Sequence, residues 1–220
     1  IIQDGTTRTW ILMLKDIDGI KATVKNSPDQ SRLGSDVKPG DMKYVDVNGD
    51  GKIDSYDQVF LGKGGWYGSP FTLGVNLTAK WKNFTFFALG TGNFGAYGLK
   101  NNSYWWVKGD GKYSAVVRNR WTKATKETAT YPRLTTLSGS NNYQTSDFWM
   151  YSTDAFRLAK VQITYDLPST LFQKTWLKGL SAYVSGANLL TISKNREVLE
   201  MNIGSAPQTR YYNIGVKATF

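Results

Sequence analysis

The sequence predicts an all-β chain, about six antiparallel strands forming a section of a transmembrane β-barrel with long loops on one side. Three observations carry this. Apolar and polar residues alternate over stretches of about ten residues, the length and two-faced pattern of a membrane-crossing strand. The segments between these stretches are alternately long and short. No apolar run approaches the roughly 20 residues of a membrane helix.

Tyr211 to Phe220 shows the alternation most plainly. Tyr212, Ile214, Val216, Ala218 and Phe220 fall on one face of an extended chain, and Tyr211, Asn213, Gly215, Lys217 and Thr219 on the other. Taken alone, this stretch fits the edge strand of a soluble β-sandwich as well as a barrel strand. The other elements decide between the two.

Composition removes many functions first. The chain has no Cys and no His. That excludes a disulfide frame, a thiol nucleophile and a Ser-His-Asp triad, and takes the usual ligands from a zinc hydrolase. An enzyme is therefore not expected. The opening Ile1-Ile2-Gln3-Asp4 has neither the basic start nor the apolar core of a signal peptide, so an exported protein would need sequence upstream. The formal net charge is +10. From Leu99 to Arg133, Lys100, Lys108, Lys112, Arg118, Arg120, Lys123, Lys126 and Arg133 face only Asp110 and Glu127. Tyr104, Trp105, Trp106 and Trp121 are interleaved with them. No nucleic-acid fold motif accompanies the run, so nucleic acid is not the expected partner. A solvated loop fits, as does a face for lipopolysaccharide phosphates or an acidic protein.

Taken in order, Thr9 to Lys15 is a short apolar run and reads as a strand. Residues 16–70 are rich in Gly, Asp and Lys and read as a loop region. Within it, Asp46-Val47-Asn48-Gly49-Asp50-Gly51-Lys52-Ile53-Asp54-Ser55-Tyr56-Asp57 has the spacing of a calcium loop. Asp46, Asn48 and Asp50 supply oxygens around a turn that Gly51 allows. Lys52 would offer its carbonyl, Asp54 a direct or water-borne contact, and Asp57 the closing carboxylate. Asp replaces the usual Glu at that last position. An Asp-Gly turn cluster without an ion has the same sequence. Any Ca²⁺ here would be structural, because no base or nucleophile flanks it.

Phe71 to Trp81 is the next strand, with Phe71, Leu73, Val75, Leu77, Ala79 and Trp81 on one face. Lys82-Asn83 is a tight turn, and Phe84 to Gly90 returns. Ala155 to Leu167 places Ala159, Val161, Ile163, Tyr165 and Leu167 on an apolar face, and Pro168 ends it. Leu180 to Leu190 follows, then Tyr211 to Phe220. The connections run 16–70, 81–83, 92–154, 168–179 and 191–208. Outer-membrane barrels alternate long extracellular loops with short periplasmic turns, whereas a sandwich has no reason to.

Four blocks then resemble one family in order. Lys38-Pro39-Gly40-Asp41-Met42-Lys43-Tyr44-Val45-Asp46-Val47-Asn48-Gly49-Asp50-Gly51 is similar to a segment of SusC/RagA-type TonB-dependent transporters. So are Asn119-Arg120-Trp121-Thr122 with Tyr131-Pro132-Arg133-Leu134, and Ser146-Asp147-Phe148-Trp149-Met150-Tyr151 with Phe156-Arg157-Leu158. Val184-Ser185-Gly186-Ala187-Asn188-Leu189-Leu190-Thr191 completes the set. The resemblance covers about residues 38–220; the Trp10 region matches poorly.

It implies a plugged outer-membrane barrel of about 22 strands, of which residues 1–220 would be the C-terminal portion. Signal peptide, plug and TonB-contacting region would lie upstream. It also implies import of glycans or other oligomers, with a SusD-like surface lipoprotein over the barrel. Peptide import, or a scaffold role in a larger outer-membrane assembly, fits the same family. A soluble calcium-dependent carbohydrate-binding domain would also explain the Asp loop and the tryptophans. With the C-terminus in the periplasm, loops 16–70, 92–154 and 191–208 become extracellular. Trp81, Phe84, Tyr165, Trp176 and Phe220 then meet at the periplasmic interface, where an aromatic girdle belongs. Phe220 would be the terminal residue read by the barrel-assembly machinery. Tyr104, Trp105, Trp106, Tyr143 and Trp149 are candidates for stacking on substrate sugars, although each fits loop packing or lipoprotein contact as well.

Overall fold

The computed structural model describes residues 6–7, 9–10, 28–33, 38–64, 69–107, 114–135 and 141–220. They fall into two compact units, Ile1–Gly68 with Tyr97–Tyr151, and Ser69–Ala96 with Ser152–Phe220.

The second unit is an antiparallel sheet of five strands: β1 (Phe71–Trp81), β2 (Phe84–Phe94), β3 (Ala155–Asp166), β4 (Gly179–Ile192) and β5 (Tyr211–Thr219). Their order across the sheet is β5-β4-β3-β2-β1, so every strand pairs with the next strand of this sheet in sequence. The Lys82-Asn83 turn is closed by Trp81 opposite Phe84, with Lys82 in the left-handed region at φ +49°. Strands β2 and β4 run past the ends expected for them, to Phe94 and from Gly179 to Ile192.

Register turns five alternating sequences into two uniform faces. Trp81, Phe84, Tyr165, Ala182 and Val216 lie in one row, and Ala79, Phe86, Ile163, Val184 and Ile214 in the next. On the other face, Thr78, Phe87, Gln162, Ser185 and Asn213 form a row. A strict two-residue period permits this only if all five strands keep phase.

They keep phase through a bulge. Lys160 pairs with Leu89 but Leu158 pairs with Gly90, which leaves Ala159 without a partner on β2. On the β4 side the register shifts between Ala187 and Leu190, with Asn188 at φ +55°. The expected place of Ala159 on the apolar face is thus corrected: it is the extra residue of the bulge. Arg157, which simple alternation would put in line with Val161 and Ile163, instead sits opposite Thr91 and Thr191 on the polar face. Phe156 and Leu158 take the apolar side, opposite Ile192 and Leu190.

Between β4 and β5, the segment expected to be a loop contains one short helix, α1 (Arg196–Met201). Asn202 ends it in the left-handed conformation, its Nδ2 donating to the Ala206 carbonyl at 2.8 Å. The Glu200 carboxylate is held by Arg196 at 3.0 Å and Arg210 at 3.6 Å.

The first unit draws on the loop regions 16–70 and 92–154. Described residues from both pack around a core of Met42, Tyr44, Ile53, Val107, Val117, Tyr131, Tyr143 and Trp149. Regular ladders are short: Thr6–Thr7 with Gln58–Val59, Thr9–Trp10 with Lys43–Tyr44, and Tyr97–Leu99 with Met150–Ser152. The strand expected over Trp10 to Lys15 therefore begins as a ladder in this unit rather than as a sixth strand of the sheet. Residues 11–15 lie outside the described residues.

Side chains do the work that neighbouring strands do elsewhere. Gln30 accepts from the Tyr44 amide at 2.7 Å and donates to the Met42 carbonyl at 3.1 Å. Asn142 accepts from the Met42 amide at 2.8 Å, and Asn141 donates to the Met42 carbonyl at 2.6 Å. All three amide side chains are buried, so they satisfy backbone groups that water cannot reach.

Candidate functional site

On the apolar face, Leu77 is 55% exposed, Val184 55%, Ile214 85% and Val216 66%. An antiparallel sheet in water buries one face on a core. An apolar face that is continuous over five strands and open along its length fits hydrocarbon instead.

Aromatics mark both ends of that face. At one end Trp81, Phe84 and Tyr165 stand side by side, with centroids 6.5 Å and 4.7 Å apart. Trp176 stacks on Phe220 at 4.7 Å and 6° at this end, where Lys178 bonds back to Thr219. The five aromatics expected at one interface are thus at one end of the sheet. At the far end Phe71 meets Phe94 at 5.9 Å. The Phe156 ring lies over Gly90, where a β-carbon would collide with it, and at Gly92 a β-carbon would collide with the Phe94 ring. From Phe71 to Trp81 the strand rises about 33 Å, which at a tilt near 40° spans about 25 Å, the height of an outer-membrane apolar band.

The Asp loop closes on its own backbone. Asp46 accepts from the Gly49 and Gly51 amides at 2.7 and 2.8 Å, Asn48 from Asp50 at 3.0 Å, and Asp50 from Lys52 at 2.9 Å. Gly49 and Gly51 sit at φ +78° and +79°, which favours glycine at both. Asp54 caps the short helix Ser55–Asp57 through the Tyr56 amide and pairs with Arg32 at 3.2 Å. Asp57 is fully buried, its two oxygens taking the Val47 and Asp54 amides at 2.8 Å each. Among the described residues no three acidic side chains gather as a metal-binding group. The donors are the right kind for a hard cation.

The five stacking candidates separate by burial. Trp149 is 2% exposed and Tyr143 4%. Trp149 Nε1 donates to the Asn142 carbonyl at 3.0 Å, and the Tyr143 hydroxyl donates to the Val107 carbonyl. Both are core residues, with no face open to a sugar. Trp106 packs against the same core, 6.2 Å from Trp149. Tyr104 and Trp105 are half-buried and meet edge to face at 5.0 Å. Lys100 lies over the Trp105 ring at 4.9 Å and near Tyr151 at 5.9 Å, and burial lowers the pKa of its ammonium.

Sequence reasoning missed the join between the motif blocks. Arg133 grips Asp41, its Nε 2.7 Å from one carboxylate oxygen and its terminal nitrogen donating to the other at 2.9 Å. Asn142 donates to the same carboxylate at 2.8 Å. The Arg133 amide bonds the Gly40 carbonyl at 2.9 Å, and the Trp121 ring fills the space where a Gly40 β-carbon would stand. The signal was present as an invitation only: an Asp and an Arg, each at the centre of a family block.

These features define a class: a section of a transmembrane β-barrel of the outer membrane. The chain is 29% identical over 215 residues to TonB-dependent receptor P26 of Formosa agariphila, covering 87% of this chain and 21% of that protein. It is 24% identical over 206 residues to TonB-dependent receptor P3 of the same organism, covering 86% and 20%. Its fold matches the RagAB peptide transporter with a TM-score of 0.64 at 22% identity, over 82% of this chain and 21% of that one. No family model matches the chain. By sequence it is similar to a section of TonB-dependent receptors, and by fold to a section of the RagAB transporter. It spans about a fifth of the length of the relatives it matches.

Proposed function

We propose that the protein containing this chain is a TonB-dependent importer of oligomeric nutrients, glycans first, acting with a SusD-like surface lipoprotein. The observation that carries the reading is the five-stranded sheet with one continuous lipid-type face, in a chain similar to TonB-dependent receptors. The polar face is then the lumen wall, and the loop unit faces the cell exterior with the lipoprotein and lipopolysaccharide. Peptides are the second reading, favoured by the fold likeness to the RagAB peptide transporter. The proposal assigns the chain no catalysis.

The test is uptake by cells producing the full-length protein with its lipoprotein. Import of labelled oligosaccharides that stops when TonB is removed is the expected result. Import of peptides alone would decide for the second reading, and import of neither would end both. Within the loop unit, Tyr104 and Trp105 remain the residues proposed to touch substrate. Trp105→Ala is expected to weaken uptake several-fold, and unchanged uptake would remove it from the path.

Calcium is proposed as a ligand that tightens the Asp loop rather than builds it, since amides already close the turn. Millimolar calcium is expected to raise the melting temperature of the loop unit, and Asp50→Asn to abolish the rise. No shift would mean that the amide caps are the whole of the loop's design.

A further inference from the structure

The polar face of the sheet is not neutral. Its charged residues are Lys80 on β1, Arg157, Lys160 and Asp166 on β3, and Lys217 on β5, all placed there by register. Four are cations and one is an acid. Asp166 is engaged by the Ser181 hydroxyl at 2.6 Å and sits toward the turn end of the strand. Among the described residues Lys80, Lys160 and Lys217 have no ion-pair partner, and all three are exposed. Arg157 and Lys160 stand in adjoining rows of β3, separated by the bulge. Lys80 and Lys217 lie nearer the end marked by Trp81 and Phe220. Cations therefore recur from the middle of the wall to that end.

A channel wall of one sign, backed by low-dielectric surroundings, concentrates counter-ions and repels co-ions. In barrels the lumen-facing residues tune selectivity, because the outer face is committed to lipid. We propose that this wall passes polyanionic oligosaccharides, chains whose sugars carry carboxylate or sulfate groups. The inference rests on the import reading above and narrows its substrate.

The groups between the cations favour a saccharide over an acidic peptide. Thr85, Thr164, Gln162, Asn213 and Thr78 share the face, and each can both donate and accept hydrogen bonds. Lysine ammonium groups are compact point charges on flexible stems, suited to single anionic groups spaced along a moving chain. Large apolar surface on this face comes from Phe87, Leu89 and the rings of Tyr183 and Tyr211, so apolar peptide side chains would meet few partners among the cations and hydrogen-bonding groups.

The experiment compares uptake of four probes by cells producing the full-length protein with its lipoprotein. The probes are an oligogalacturonate, a sulfated galactan oligosaccharide, a neutral malto-oligosaccharide and an oligoglutamate of matched length. The unaltered protein is expected to take up at least one of the two acidic saccharides in preference to the neutral one. Lys160→Gln with Lys80→Gln should lower that uptake about ten-fold, while Lys160→Arg keeps it within two-fold. Heat-modifiability of each variant shows that its barrel has formed. Preference for the neutral saccharide, or no response to the lysine substitutions, overturns the inference and leaves import standing. Preference for oligoglutamate overturns the saccharide assignment in favour of a peptide. Uptake of none of the four overturns the import reading itself.

Discussion

Asp41 is 2% exposed and carries three donors at once, from Arg133, Asn142 and the Lys38 amide at 3.0 Å. Such a carboxylate tolerates burial only while its partners stay. Arg133→Ala leaves the charge in place without its counter-charge, at a cost of about 3–5 kcal/mol. Amide exchange should quicken throughout the loop unit and not in the sheet, and protection unchanged near Met42 would contradict this. Tyr44 adds a pH limit at the same scale. Burial holds its phenol well above the ordinary value of 10.0, and burial likewise raises that of Tyr131. A raised phenol pKa favours the neutral form in the folded state. The stability tied to it is fully present below about pH 10 and lost as pH rises toward the folded value. Tyrosinate absorbance from these two residues should appear only together with loss of the Trp149 fluorescence environment. Titration near pH 10 with the fold intact would show the phenols to be accessible.

Ala159 does at the level of the strand what no side chain does. One extra residue on β3 turns Arg157 into the polar face and Phe156 onto the apolar one. Deleting Ala159 restores simple alternation and aims Arg157 at lipid, a cost of about 2–4 kcal/mol near the midplane and less toward an interface. The full-length protein should then yield less heat-modifiable barrel, whereas Ala159→Gly should yield the ordinary amount. Equal yield from the deletion would mean that the register can shift elsewhere. Legibility follows the same line. Strands β1 and β5 were readable because a lipid face and a lumen face impose a strict period on each residue. The bulge was not, since alanine is at home on either face and nothing in Arg157-Leu158-Ala159-Lys160 says which residue is extra. The Asp loop's turns were readable from Asp-Gly spacing, but not where its carboxylates point. The loop unit's core was hidden more deeply. Its buried residues come from separate short stretches, and its buried amides, Gln30, Asn141 and Asn142, look like surface residues in sequence.

At the scale of the whole molecule, five strands are fewer than the eight of the smallest outer-membrane barrels. The edges of β1 and β5 pair on one side only among the described residues. Residues 1–220 produced alone are expected to need detergent and to give neither a heat-modifiable monomer nor conductance in a planar bilayer. A stable pore from these residues would overturn the view of the sheet as one sector of a larger wall. The basic balance of the chain belongs to this scale too, since a charge of +10 acts on partners at a distance set by ionic strength.

The loop unit is built from two stretches with the β1–β2 hairpin between them. Asn142 bonds Met42 across that interval, so this core has contacts of long sequence separation. Such contacts are slow to form, because loop-closure entropy precedes their reward. Once formed, they repay it locally. Residues 95–154 are the tether between β2 and β3, and a tether whose described residues pack into a core behaves as a shorter one. Each halving of its effective length lowers the closure cost of the β2–β3 pairing by about 0.6 kcal/mol. The same core that completes late in the chain's own order would therefore hasten the joining of the hairpin to the rest of the sheet.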